Sequence, residues 1–176
     1  ARQSIISDPD FEKGDAHPEK GLGLARMLGH ITYLSEESMK NKFGRDLKKE
    51  KIEYGYDVEF EIESYLRYQG ANFSKSFNAH TYLLMTRALD YFDPAKKKDG
   101  NLSETLSSST CQFLVISFKS DWRFPPERSK EIVDALIKAE KKVSYLNIDS
   151  IQGHDSFLMK NDRYENAINS FLEADV

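Results

Sequence analysis

Apolar residues recur at Leu24, Met27, Leu28, Ile31 and Leu34, the i, i+3, i+4, i+7 spacing of one helix face. That spacing predicts an amphipathic helix over residues 21–34. Ser35, Glu36 and Glu37 follow as an N-cap and an acidic first turn, so a second helix is expected to end near Gly44. Tyr82, Met85, Leu89 and Phe92 form another helical stripe, closed by Pro94. The stretch between is ambiguous. Val58, Phe60 and Ile62 alternate as a strand would, whereas Ile62, Tyr65, Leu66 and Gln69 fit a helix ending at Gly70. Periodicity supports both.

Beyond about residue 100 the pattern changes. Gln112 to Phe118 is a continuous apolar run with the length and β-branched content of a strand buried on both faces. Pro125 and Pro126 suit the first turn of a helix, whose inward residues are Ile132, Val133, Leu136 and Ile137. Val143 to Ile148 is the next strand. Arg163 to Leu172 closes as a helix with Tyr164, Ile168, Phe171 and Leu172 inward. Strand, helix and strand joined by a crossover of this length predict a parallel βαβ unit and an α/β fold class. Between the two halves, Pro94 to Ser109 carries three consecutive lysines, Asp99-Gly100 and a serine run, and reads as a solvated linker.

Composition narrows the classes. The chain has 176 residues, enough for one domain with its own core. At 39% hydrophobic and 12% aromatic it is too apolar for a disordered tail. A net charge of −4 argues against nucleic acid as a partner, since such partners select a basic face. The single cysteine, Cys111, excludes an internal disulfide and a cysteine zinc cluster, and its place before the apolar run suggests a small core residue. His17 and His80 have no partner pattern and H-E-x-x-H is absent, so no metal is assigned. His30 reads as structural. Gly21-Leu22-Gly23 lacks the preceding strand and third glycine of a dinucleotide loop. No apolar run approaches the roughly 20 residues of a membrane span. The expectation is a soluble, cytoplasmic protein with no membrane partner.

Candidate chemistry lies where parallel strands end, because functional loops follow their carboxyl ends. The first strand runs into Lys119-Ser120-Asp121-Trp122, the second into Gln152-Gly153-His154-Asp155. Adjacent parallel strands would set a carboxylate beside an imidazole, in the chain order of the last two members of an α/β-hydrolase triad. Asp121 would orient and stabilise the ring; His154 would act as general base and then general acid toward a serine. The residues alone leave another reading open, in which Asp121 caps the following helix and His154 is an ordinary loop residue. None of the nine glycines opens a G-x-S-x-G nucleophile elbow. In this triad order the nucleophile precedes the acid, so it is expected upstream of Ala1, and the chain is expected to be the C-terminal part of a longer enzyme.

Several blocks carry a specific resemblance. Gly21-Leu22-Gly23-Leu24-Ala25-Arg26-Met27-Leu28-Gly29-His30-Ile31-Thr32-Tyr33-Leu34-Ser35 is one. Glu63 to Gly70, Thr86 to Asp93, Ser117 to Pro126 and Gly153 to Leu158 are the others. Together and in this order they resemble homoserine O-acetyltransferases of the α/β-hydrolase superfamily; residues 11–18 and 96–110 match poorly. The resemblance implies a partial α/β-hydrolase fold, parallel strands with flanking helices plus a helical lid. Residues 1–18 would end a preceding core helix and linker. Residues 19–95 would form the lid, 96–110 a linker loop, and 111–176 the C-terminal βαβα part of the core. The ambiguous segment before Gly70 would then be lid helix.

The resemblance also implies an activity: acetyl transfer from acetyl-CoA, as co-substrate, to the L-homoserine hydroxyl through an acyl-serine, in methionine biosynthesis, with no bound cofactor. Succinyl transfer, a serine acceptor, plain ester hydrolysis and a non-catalytic interaction fragment are the alternatives. Asp121 and His154 match the triad acid and base. Arg26 matches the arginine expected on the substrate carboxylate, for which a planar fork is suited. Tyr33, two helical turns on, would share its cleft, and Asp155 would hold the substrate ammonium. Each has a plainer reading: Arg26 an exposed helix arginine, Tyr33 filler, Asp155 an N-cap, Trp122 loop packing. The lysines at 96–98 more simply face water than a CoA phosphate. The partners implied are the N-terminal, serine-bearing part of the same enzyme and a second subunit docked through lid helices. The chain by itself is expected to be inactive.

Overall fold

The computed structural model describes residues 1–174, which form two compact units. One comprises Ala1–Thr32 and Met39–Phe92; the other comprises Tyr33–Ser38 and the chain from Asp93 onward. Among the described residues no helix is long and apolar enough to cross a membrane.

The first unit is helical. Its elements are α1 (Arg2–Ile6), α2 (Pro9–Glu12), α3 (Glu19–Tyr33), α4 (Glu36–Lys42), α5 (Glu61–Ser76) and α6 (Ala79–Tyr91), with the end of α3 and the start of α4 belonging to the second unit. Its core is Ile5, Leu22, Ala25 and Ala79, with Phe11, Phe73, Tyr82 and Leu83 packed around it. The ambiguous stretch is helix: Phe60 makes only an isolated antiparallel bridge to Leu47, and α5 starts at Glu61. The Glu63 carboxylate accepts the N–H groups of Glu59 and Phe60, which caps the helix start and holds that carboxyl below its usual range. Gly70 does not end α5, which continues to Ser76. The glycine serves a close approach instead. A Cβ at Gly70 would stand 2.8 Å from the carbonyl oxygen of Gly23 on α3.

His30 on α3 is buried, with Nδ1 3.3 Å from the Tyr65 hydroxyl. Burial, then the charges of Arg26 and Lys42, push its pKa down to about 4. It is therefore neutral in the folded state at every pH where an unfolded imidazole would begin to charge.

The second unit is a βαβα arrangement. β1 (Phe113–Phe118) and β2 (Val143–Ile148) pair in parallel, from Phe113 opposite Val143 to Phe118 opposite Ile148. The crossover is α8 (Pro126–Lys138), with Pro126 in its first turn, and α9 (Asp162–Glu173) follows β2. Val133 and Leu136 of α8, with Leu34, Ala95, Phe118 and Ile148, are the buried apolar residues here among the described residues. Three expectations are corrected. β1 is fully buried only at Ser117 and Phe118, because among the described residues β2 is its one ladder partner. The linker contains a short helix, α7 (Leu102–Leu106), capped by the Asn101 side chain accepting from Glu104 N–H at 3.2 Å, and a 3₁₀ turn at Lys96–Lys98. Cys111 is exposed, since it lies in a bend before the first rung of the ladder.

Two outcomes follow for the helical unit. Alanine normally gains about 1 kcal/mol over glycine inside a helix. Gly23→Ala, whose Cβ would meet nothing nearer than 3.6 Å, should hold or raise the thermal midpoint, whereas Gly70→Ala should lower it. As pH falls from 6.5 toward 4, the unfolded His30 takes up a proton that the folded one refuses, so stability is full above that window and lost within it. Denaturant titrations at pH 7 and pH 5 should show this loss, and His30→Gln should reduce it.

Candidate active site

Because β1 and β2 are parallel, their carboxyl ends coincide, and Lys119 N–H extends the ladder by donating to Ile148 O at 2.9 Å. Both candidate loops therefore leave the same sheet end. Asp121 is buried, and its two oxygens have different tasks. Oδ1 accepts the backbone N–H groups of Arg123 and Phe124, at 3.0 and 2.9 Å, fixing the turn after β1. Oδ2 lies 2.8 Å from Nδ1 of His154. So Asp121 caps its own turn and faces the imidazole at once, while α8 begins separately at Pro126.

His154 sits in the 3₁₀ segment Gly153–Leu158 after β2. Its ring is surrounded by Phe124, Phe157 and Tyr33, at centroid distances of 5.0, 5.5 and 5.9 Å. With Nδ1–H donated to the carboxylate, the neutral ring carries its lone pair on Nε2, the atom from which a general base acts. A cleft of about 430 Å³ opens beside the pair, lined by Asp121, His154, Phe118, Phe124, Phe157 and Tyr164 among others. Apolar walls around a carboxylate–imidazole pair strengthen its electrostatic effect on a reacting group.

Tyr33 thus stands with Asp121 and His154 in one unit, and Asp155, half-buried, follows the histidine in the 3₁₀ segment. Arg26 belongs to the helical unit, where its guanidinium lies 5.0 Å from the Phe73 ring centre. His17 Nδ1 is 3.1 Å from Phe77 O, and His80 packs against the Phe11 ring at 5.0 Å. Lys98 of the lysine run pairs with Glu104.

Sequence reasoning missed the long-range partners of several residues. The Trp122 indole N–H donates to Leu34 O at 3.1 Å, and the Ser120 hydroxyl accepts Gly153 N–H at 3.0 Å. Ser35, read only as an N-cap, does accept Ser38 N–H at 3.0 Å but also donates to Ile151 O. Gly153 has φ +67, and a Cβ there would stand 2.5 Å from Tyr33 O. The one advance signal was the Gln152-Gly153-His154 order, with a glycine just before the candidate base.

A parallel βαβ unit with loops leaving the carboxyl ends of both strands is the arrangement of a partial α/β-hydrolase fold. Solved structures agree on the fold. Esterase E22 is matched with a TM-score of 0.81 at 21% identity, over 97% of this chain and 48% of that one. A homoserine O-acetyltransferase from Bacillus anthracis is matched with a TM-score of 0.77 at 23% identity, over 88% and 42%. Among curated sequences, the homoserine O-succinyltransferase of Acinetobacter baumannii (strain AYE) is 61% identical over 98% of this chain and 46% of its own length. That of Litchfieldella anticariensis is 60% identical over 98% and 45%. No family model matches. The chain is similar to these homoserine O-succinyltransferases over nearly all its residues, and it spans about half the length of the curated relatives it matches.

Gly153→Ala would combine a strained backbone with a clash against the Tyr33 carbonyl. It should lower the unfolding free energy by about 2 kcal/mol or more in denaturant titrations.

Proposed function

We propose that this polypeptide supplies the acid, the base and substrate-binding groups of an enzyme that transfers an acyl group from a CoA thioester to the L-homoserine hydroxyl. The observation that carries the reading is the 2.8 Å Asp121–His154 contact at the shared end of two parallel strands. The 61% identity to homoserine O-succinyltransferases supplies the substrate class. These 176 residues hold no nucleophile elbow, so the attacking serine is taken from another part of the enzyme.

In this reading His154 Nε2 removes the serine proton as the hydroxyl attacks the thioester, then protonates the departing CoA thiolate. The acyl-serine is attacked by the homoserine hydroxyl, whose proton again passes to Nε2 and returns to the serine oxygen. Asp121 stays ionised throughout and stabilises the imidazolium. Homoserine is a zwitterion. Arg26 is assigned to its carboxylate and Asp155 to its ammonium, with Tyr33 closing the cleft. Water competes with homoserine for the acyl-serine, so a helical lid, assigned to residues 19–95, favours transfer by excluding it.

The donor is assigned as succinyl-CoA, in place of the acetyl-CoA that the motif resemblance implies. The succinyltransferases are 61% identical, whereas the solved acetyltransferase is 23% identical. The same difference favours transfer over the ester hydrolysis suggested by esterase E22 at 21%. Leu84, Met85, Leu89 and Phe92 of the α6 region are exposed and apolar, a face suited to a second copy of the enzyme. A cytoplasmic location accompanies the use of CoA thioesters. No cofactor or metal is required.

The test uses the enzyme at the length of its relatives. CoA release should depend on homoserine and be faster with succinyl-CoA than with acetyl-CoA, and Asp121→Asn should lower kcat by about 10³-fold or more. CoA release indifferent to homoserine would replace transfer by hydrolysis. The 176-residue chain assayed alone should be inactive.

A further inference from the structure

The six residues Tyr33–Ser38 lie between two helices of the helical unit, yet they pack with the acid and histidine loops. On the acid side, the Trp122 indole N–H donates to Leu34 O at 3.1 Å, and the Arg123 guanidinium lies 4.9 Å from the Tyr33 ring centre. Leu34 directly follows α3, so this carbonyl is one of the groups a helix end leaves without an internal partner, and the indole satisfies it. On the histidine side, the buried Ser35 hydroxyl donates to Ile151 O while accepting Ser38 N–H. The Gly153 backbone packs so closely against Tyr33, Leu34 and Ser35 that no side chain fits.

We infer that Tyr33–Ser38 is a positioning clamp for the catalytic pair, with Trp122 and Ser35 as its positioning residues, one fastening each loop. The inference rests on the acyl-transfer reading given above. Its physical basis is tolerance. The loops touch each other directly through Ser120 and Gly153 N–H and through the Asp121–His154 contact itself. A misplacement of about 1 Å at a catalytic pair can cost about 100-fold in rate, and rigid support reduces it. The clamp adds one anchor on each loop, through Leu34 O and the Ser35 hydroxyl, whose hydrogen bonds go to neither Asp121 nor His154.

The test uses the enzyme at the length of its relatives, with Ser35→Ala, Ser35→Thr, Trp122→Phe and Asp121→Asn. Ser35→Ala and Trp122→Phe should each lower kcat about 10-fold, with KM for homoserine and for the acyl donor within twofold. Both should broaden the downfield proton resonance of the His154 Nδ1–H, and Ser35→Thr, which keeps the hydroxyl, should restore rate and resonance. Asp121→Asn separates the two layers. If it leaves turnover intact, the acyl-transfer reading fails. If it abolishes turnover while Trp122→Phe and a folded Ser35→Ala retain wild-type kcat and resonance, the clamp is wrong. Should Ser35→Ala fail to fold by circular dichroism, Trp122→Phe alone decides.

Discussion

The site depends on the parallel pairing of β1 with β2. Parallel strands place both carboxyl ends at one edge, and the register from Phe113–Val143 to Phe118–Ile148 makes those ends level. An antiparallel pair would send the two loops to opposite ends of the sheet. A shift of one residue would turn every side chain on a strand to the other face, since the period is two. The 2.8 Å contact between Asp121 and His154 is thus set first by hydrogen bonds between backbones that contain neither residue. The α8 crossover, buried through Val133 and Leu136, makes that parallel pairing possible.

Asp121 shows how a buried carboxylate is made tolerable. Two backbone N–H groups satisfy Oδ1 and the imidazole faces Oδ2, so the charge is solvated by the protein. The same bonds fix the turn that carries it. Binding the turn and facing the ring are therefore done by one carboxylate through its two oxygens, and the helix that follows starts at Pro126 without its side chain.

The two buried or half-buried imidazoles differ by their neighbours. His30 lies among Arg26, Lys42 and apolar helix surface, and protonation there would put a third cation in one place. His154 faces a carboxylate and three aromatic rings, surroundings in which an imidazolium has a counter-charge. Helix periodicity cannot separate these cases, because the charges near His30 come from α3 and from the end of α4, brought together by packing against α5.

Much of this chain could be read from order alone. Period 3.6 stripes marked α3, α6, α8 and α9, and the apolar runs marked β1 and β2 to within one residue, because these signals are local. The acid and histidine loops were legible for a similar reason: strand ends and parallel pairing follow from the βαβ spacing. What escaped was non-local. Gly70 looked like a helix stop but is a contact point with Gly23, 47 positions away along the chain. Asn101 began a helix inside an apparently featureless linker. Ser35 and Trp122 act across 116 and 88 positions respectively. A residue's propensity records what its neighbours in sequence permit; which distant carbonyl it meets is decided only when the chain has packed.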